Sequence, residues 1–239
     1  MGYWHSLYSP QLKDKFDENQ CDFAGLGMPN ASLKCKELLV EFDVLTKDVN
    51  IYNIYGICYG TSLNPQMYES KRKGVTAADY TPWLFTNEQL EANGLPPCTF
   101  GTPIMDYFDR TDVRDALHIS PLIGAWELCT NGIDYTRQAT GSQWVYEALH
   151  GKYRMLHYSG DVDGAVSTVG TQGWIDSLGW SESVSWAPWM YADQVAGYIT
   201  YYVDDFTFAI VHGSGHMVPQ DKRPQAHYMI NNWLDNVPL

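Results

Sequence analysis

Arg154-Met155-Leu156-His157-Tyr158-Ser159-Gly160-Asp161-Val162-Asp163-Gly164 opens as a strand and ends as a loop. The apolar start is short and bounded by glycines, as in a buried strand. The loop then carries two carboxylates. Upstream, Gln143 to His150 reads as a helix stopped by Gly151. Downstream, Thr168 to Leu178 reads as a second helix, with Gly179 as its stop. Two further strand candidates, Gly197–Val203 and Phe206–Val211, flank Asp204-Asp205, so they predict a hairpin. A Gly-rich loop, Gly213-Ser214-Gly215-His216, follows, and a helix over 223–234 closes the chain. Helices alternating with strands predict an α/β sheet, whose chemistry sits on loops after the strands.

Before about residue 100 the texture changes. Cysteine, proline and glycine are scattered, and only one stretch, 31–46, has a helical period, through Leu33, Leu38, Leu39, Phe42 and Leu45. Asp112 to His118 predicts a short helix in the more regular second part. The expected organisation is therefore 1–100 as one subdomain and 101–239 as another.

The two loops hold the residues with chemical promise. Asp161 and Asp163 stand on the first and His216 on the second, in the order acid, then histidine. That is the tail of the order Ser…Asp/Glu…His in α/β-hydrolases. A serine hydroxyl needs a base to take its proton, and an imidazole can do so near neutrality. A carboxylate then fixes the ring's tautomer and stabilises the imidazolium. Spacing alone leaves other readings open: either aspartate could cap the helix near Thr168, and His216 could be a loop residue. A metal site on His212 and His216, four apart, would need a helix to align them, and Gly213 and Gly215 argue against one. No metal and no cofactor are expected.

Bulk properties narrow the partners. The net charge of −13 leaves no basic surface for a phosphate backbone, so nucleic acid is not expected. No apolar run is long enough to span a membrane. Five cysteines, Cys21, Cys35, Cys58, Cys98 and Cys129, contain no C-x-x-C pair, and their wide spacing fits disulfides in an oxidising compartment. The odd count leaves one sulfur without a partner in the chain. Asn30-Ala31-Ser32 is a glycosylation sequon, with Asn30 the acceptor. Met1 is not followed by an apolar leader, which conflicts with disulfide chemistry unless an N-terminal part is missing.

The two loops also carry a resemblance. Tyr158-Ser159-Gly160-Asp161-Val162-Asp163-Gly164-Ala165-Val166 resembles the YSGDxDxxVP motif of serine carboxypeptidases, and Gly213-Ser214-Gly215-His216-Met217-Val218-Pro219 resembles that family's GxGHMVP motif. Asn50-Ile51-Tyr52-Asn53-Ile54-Tyr55 with Cys58, Asp112–His118, Trp126-Glu127-Leu128-Cys129 and Val195-Ala196-Gly197-Tyr198 are similar to further family segments. The likeness runs from about residue 3 to 235. It implies the C-terminal part of an α/β-hydrolase sheet plus an irregular, partly helical, disulfide-containing cap insertion. It assigns Asp163 as triad acid, His216 as base, Met217 to the pocket beside the departing residue, and Asp161 to a structural role. It implies disulfides Cys21–Cys35 and Cys58–Cys98, with Cys129 left unpaired because its partner lies outside the chain.

There are departures. Ser167 stands where the motif has proline. No G-x-S-x-G elbow occurs, nor the Asn-Gly-Gly-Pro-Gly oxyanion segment. The implied activity is removal of the C-terminal residue of peptide or protein substrates in a lysosomal, vacuolar or secreted setting. The chain by itself is expected to be inactive, because its nucleophile would have to come from an N-terminal half. A binding relative without catalysis, or an acyltransferase on the same scaffold, is the alternative.

Overall fold

The computed structural model describes residues 5–21, 31–56, 58, 102–127 and 141–239. The backbone forms two compact units: Met1–Lys47 with Ile51–Gly56 and Arg137–Leu239, and Asp48–Asn50 with Ile57–Thr136.

In the first unit the strands are β1 (Met155–Gly160), β2 (Glu182–Tyr191), β3 (Gln194–Tyr202) and β4 (Phe206–Val211). They form one sheet in the order β1-β4-β3-β2. β4 runs parallel to β1, with Met155 opposite Phe206 and Gly160 opposite Val211. It runs antiparallel to β3, and β3 to β2. The α/β architecture read from the sequence is thus present.

The sequence Phe-Thr-Phe-Ala-Ile-Val makes β4 the spine, because every residue of it is buried. Successive side chains point to opposite faces of a strand. Ala209 and Val211 accordingly pack in one cluster with Ala226 and Met229 of a C-terminal helix, Arg223–Leu234. Phe206, Phe208 and Ile210 pack in another with Ile175 of the helix Thr168–Ser177. Tyr146, on a helix over Gln143–Leu149, joins that second cluster. The sheet is therefore covered on both faces, as a strand apolar on both sides requires.

The sequence pattern predicts no strand at β2. It is an edge strand carrying Pro188, an exposed polar start and three register shifts, so it lacks clean alternation. Its turn into β3 is Ala192-Asp193, both at positive φ (49° and 60°), which is turn geometry more familiar from Asn-Gly. Gly197 on β3 is required by packing: a Cβ there would lie 1.7 Å from the Ile210 carbonyl oxygen and 2.7 Å from Trp189 Nε1. The bare backbone lets the buried Trp189 indole donate to Ile210 O at 2.9 Å.

Also in this unit, Ser9 caps the helix Pro10–Glu18, and Ser32 caps Leu33–Thr46 by accepting from Cys35 N at 3.1 Å. The Cys21–Cys35 disulfide is present and links the ends of these helices. In the second unit, short helices Thr102–Phe108 and Thr111–Ala116 precede a loop whose carbonyls at Ile123 and Gly124 accept from Arg114 (2.6 and 3.0 Å). Cys58 is disulfide-bonded; Cys98, Cys129 and Asn30 lie outside the described residues. Among the described residues no helix is long and apolar enough to cross a membrane.

Candidate active site

Two parallel strands side by side end at the same rim of a sheet. β1 therefore delivers the loop 161–167, and β4 the loop 212–217, to one place. Their backbones are stitched together past the strand ends. Asp161 N–H donates to Val211 O (3.3 Å), and Val162 N–H to Ser214 O (3.0 Å). Gly160 permits the contact: a Cβ there would stand 2.2 Å from Gly215 O and 2.3 Å from Ser214 O. Gly213, at φ +68°, turns the second loop.

Asp163 is 3% exposed. Its Oδ1 accepts from the backbone N–H groups of Ala165 (2.8 Å) and Val166 (3.0 Å). Its Oδ2 is 2.8 Å from His216 Nδ1. A carboxylate only accepts, so this contact puts the ring proton on Nδ1 and leaves Nε2 with its lone pair. The His216 side chain is 41% exposed, so the ring is held at its inner edge and open on the outside. This is the arrangement in which an imidazole can take a proton from a nucleophile and a carboxylate can stabilise the resulting cation.

Asp161 stands beside this pair with different partners. Its Oδ1 accepts from Gly213 N–H and its Oδ2 lies against His212 Nδ1, both at 2.6 Å. The two histidines thus bind separate carboxylates. Among the described residues no three His, Cys, Asp or Glu side chains gather as a metal would need. Met217 is 54% exposed on the same loop, between His216 and the four-residue helix Val218–Asp221.

A third chain segment reaches this rim. Tyr52 O accepts from His216 N–H at 2.7 Å, and Gly164 N–H donates to Ile51 O at 2.7 Å. Ile54 N–H donates to Val162 O at 3.1 Å, and the Tyr52 and His216 rings are 5.5 Å apart. Asp221 Oδ2 accepts from both Gly215 N–H (2.7 Å) and Asn53 Nδ2 (3.0 Å). The sequence marks 50–55 only by its likeness to a family segment and gives Asp221 no signal. Residues more than 150 positions apart give no local signal that they meet.

A buried carboxylate and an open imidazole thus meet at the carboxyl rim of a helix-covered sheet in an α/β protein. The chain belongs to the serine carboxypeptidase family, whose model matches residues 1–236. It is 30% identical to the lysosomal protective protein of Mus musculus, over 99% of this chain and 54% of that protein. It is 28% identical to serine carboxypeptidase ctsa-4.1 of Caenorhabditis elegans, over 98% of this chain and 52% of that protein. It is 42% identical to serine carboxypeptidase-like 12 of Arabidopsis thaliana, over 64% of this chain and 38% of that protein. The fold matches the crystal structure of KEX1(DELTA)P, a prohormone-processing carboxypeptidase from Saccharomyces cerevisiae, with a TM-score of 0.60. That match has 17% identity and covers 98% of this chain and 50% of the other. The chain spans about half the length of the relatives it matches across nearly its whole length.

Proposed function

We propose that this chain supplies the acid and the base of a serine carboxypeptidase whose nucleophile comes from sequence outside these 239 residues. Asp163 orients His216, and His216 Nε2 takes the proton of an incoming serine hydroxyl as it attacks the last peptide bond of a substrate. The imidazolium returns that proton to the departing amino group, releasing the C-terminal residue and leaving an acyl-enzyme. Water, deprotonated by the same imidazole, completes the cycle. Met217, beside the base, borders the space for the departing residue. No metal or other cofactor enters this scheme.

The observation that carries the reading is the 2.8 Å contact between Asp163 Oδ2 and His216 Nδ1, made by a buried carboxylate and an exposed ring. The family match supports the reaction class. The disulfides at Cys21–Cys35 and Cys58 support an oxidising compartment, as does the name of the mouse relative. Within that compartment Asn30 would be a glycosylation site. By itself the chain is inactive.

The test is complementation. The chain is refolded with a polypeptide carrying the N-terminal half of a family member, nucleophile elbow included, and release of the C-terminal residue from an N-blocked dipeptide is followed. Activity should appear only in the mixture. It should vanish in His216→Ala and fall by about 10⁴-fold in Asp163→Asn, as when a triad acid can no longer fix its histidine. Activity that survives His216→Ala removes the base from the mechanism, and hydrolysis by the chain alone defeats the claim that the nucleophile is external.

A further inference from the structure

We propose that Asp221 is a positioning residue for His216, acting through a brace shared with Asn53. The inference rests on the reading of His216 as the base. Asp221 lies at the end of the four-residue helix that follows the histidine loop. A single oxygen of its carboxylate holds two donors: Gly215 N–H, the peptide just before the base, and Asn53 Nδ2. The segment carrying Asn53 also carries Tyr52, whose carbonyl takes the backbone N–H of His216 itself and whose ring stands 5.5 Å from the imidazole.

The two segments are pressed as close as backbone allows. A Cβ on Gly215 would fall 2.0 Å from Tyr52 O and 2.7 Å from Asn53 Cβ. Asp221 therefore closes a loop of contacts, from 221 to 215, along the chain to 216, across to 52, on to 53 and back to 221. The loop has no slack, so the position of His216 Nδ1 against Asp163 depends on its closure. An ionised carboxylate suits the role, because it accepts several hydrogen bonds and makes them stronger than neutral ones. An amide suits the other side, because a second carboxylate at 3.0 Å would repel it.

The experiment uses the full chain, labelled with ¹⁵N, and reads two signals: hydrogen exchange of the Gly215 and His216 amides, and the ring ¹⁵N shifts of His216, which report its tautomer. Asp221→Ala and Asn53→Asp should each speed exchange at both amides by about tenfold, the factor one net hydrogen bond implies. Both should also move the ring shifts from a single Nδ1–H form toward a tautomer mixture. Asp221→Asn keeps a neutral acceptor and should fall between wild type and Asp221→Ala in both signals.

Protected amides at Phe208 and Ile210 establish that the sheet is intact. If Asp221→Ala does not fold, Asn53→Asp decides the matter. Unchanged ring shifts in Asp221→Ala or Asn53→Asp with an intact sheet would overturn the proposal. Asp163→Asn tests the underlying reading separately. If it leaves the His216 ring untouched, the acid–base couple itself fails, and the inference with it, whatever the Gly215 amide does.

Discussion

Asp161 and Asp163 are two residues apart on one loop and meet different histidines, Asp161 His212 and Asp163 His216. Register at this rim is set by Gly160, whose missing side chain lets the two loop backbones touch. Gly160→Ala should therefore cost about 1–3 kcal/mol, the range for forcing extra atoms into a packed site. Urea unfolding checks this, and a variant as stable as wild type would show that the contact relaxes freely. A second residue-scale effect lies one turn of the pleat away. His157 on β1 donates to or accepts from the Tyr146 hydroxyl (3.1 Å) among Trp174 and Phe208. Burial lowers its pKa from the ordinary 6.5 and raises that of Tyr146. The fold disfavours the charged ring, so the unfolded chain takes up the proton first. Stability is unaffected above the ordinary value and falls as pH drops from about 6.5 through the lowered folded value. His157→Asn should lose less stability than wild type between pH 7 and 5 in urea titrations. Equal losses would assign that slope to other groups.

Among the elements, those with a clear period were legible. The helices over 33–46, 143–149, 168–177 and 223–234, and the strands β1, β3 and β4, lie where their apolar spacing and glycine stops predict. β2, the helix Pro10–Glu18 and the short helix at 218–221 were not legible. β2 is an edge strand whose register shifts break the alternation, and a four-residue helix has no period to read. What secures β2 is a long-range contact, the Trp189 indole reaching over Gly197 to Ile210 O. Trp189→Phe removes that donor from a fully buried site and should cost about 1–3 kcal/mol, from the lost hydrogen bond and the space left behind. Thermal denaturation measures it, with faster amide exchange in β2 than in β1 as the local signature. An unchanged melting temperature would mean that the hairpin is held by its turn alone. Nearby, at the end of β3, burial, with Asp176 and Glu182 adding, pushes the Tyr202 hydroxyl pKa up to about 12.

At the scale of the molecule, the net charge of −13 makes the folded chain repel itself more than the expanded one does. Added neutral salt should screen this and raise the melting temperature at pH 7. A fall with moderate salt would mean that specific ion pairs outweigh the general repulsion. The amino-acid sequence by itself determined the α/β class, the family and the two loops that carry the acids and the histidines, because periodicity, glycine stops and contiguous motifs are local properties of a chain. Only the tertiary structure decided that Asp161 meets His212, and that Tyr52, Asn53 and Asp221 close around His216. Those contacts depend on β1 lying beside β4 and on a segment more than 150 residues from Asp221 docking at the same rim. Strand order and docking come from burial of surfaces distant in sequence, and no short stretch of residues encodes them.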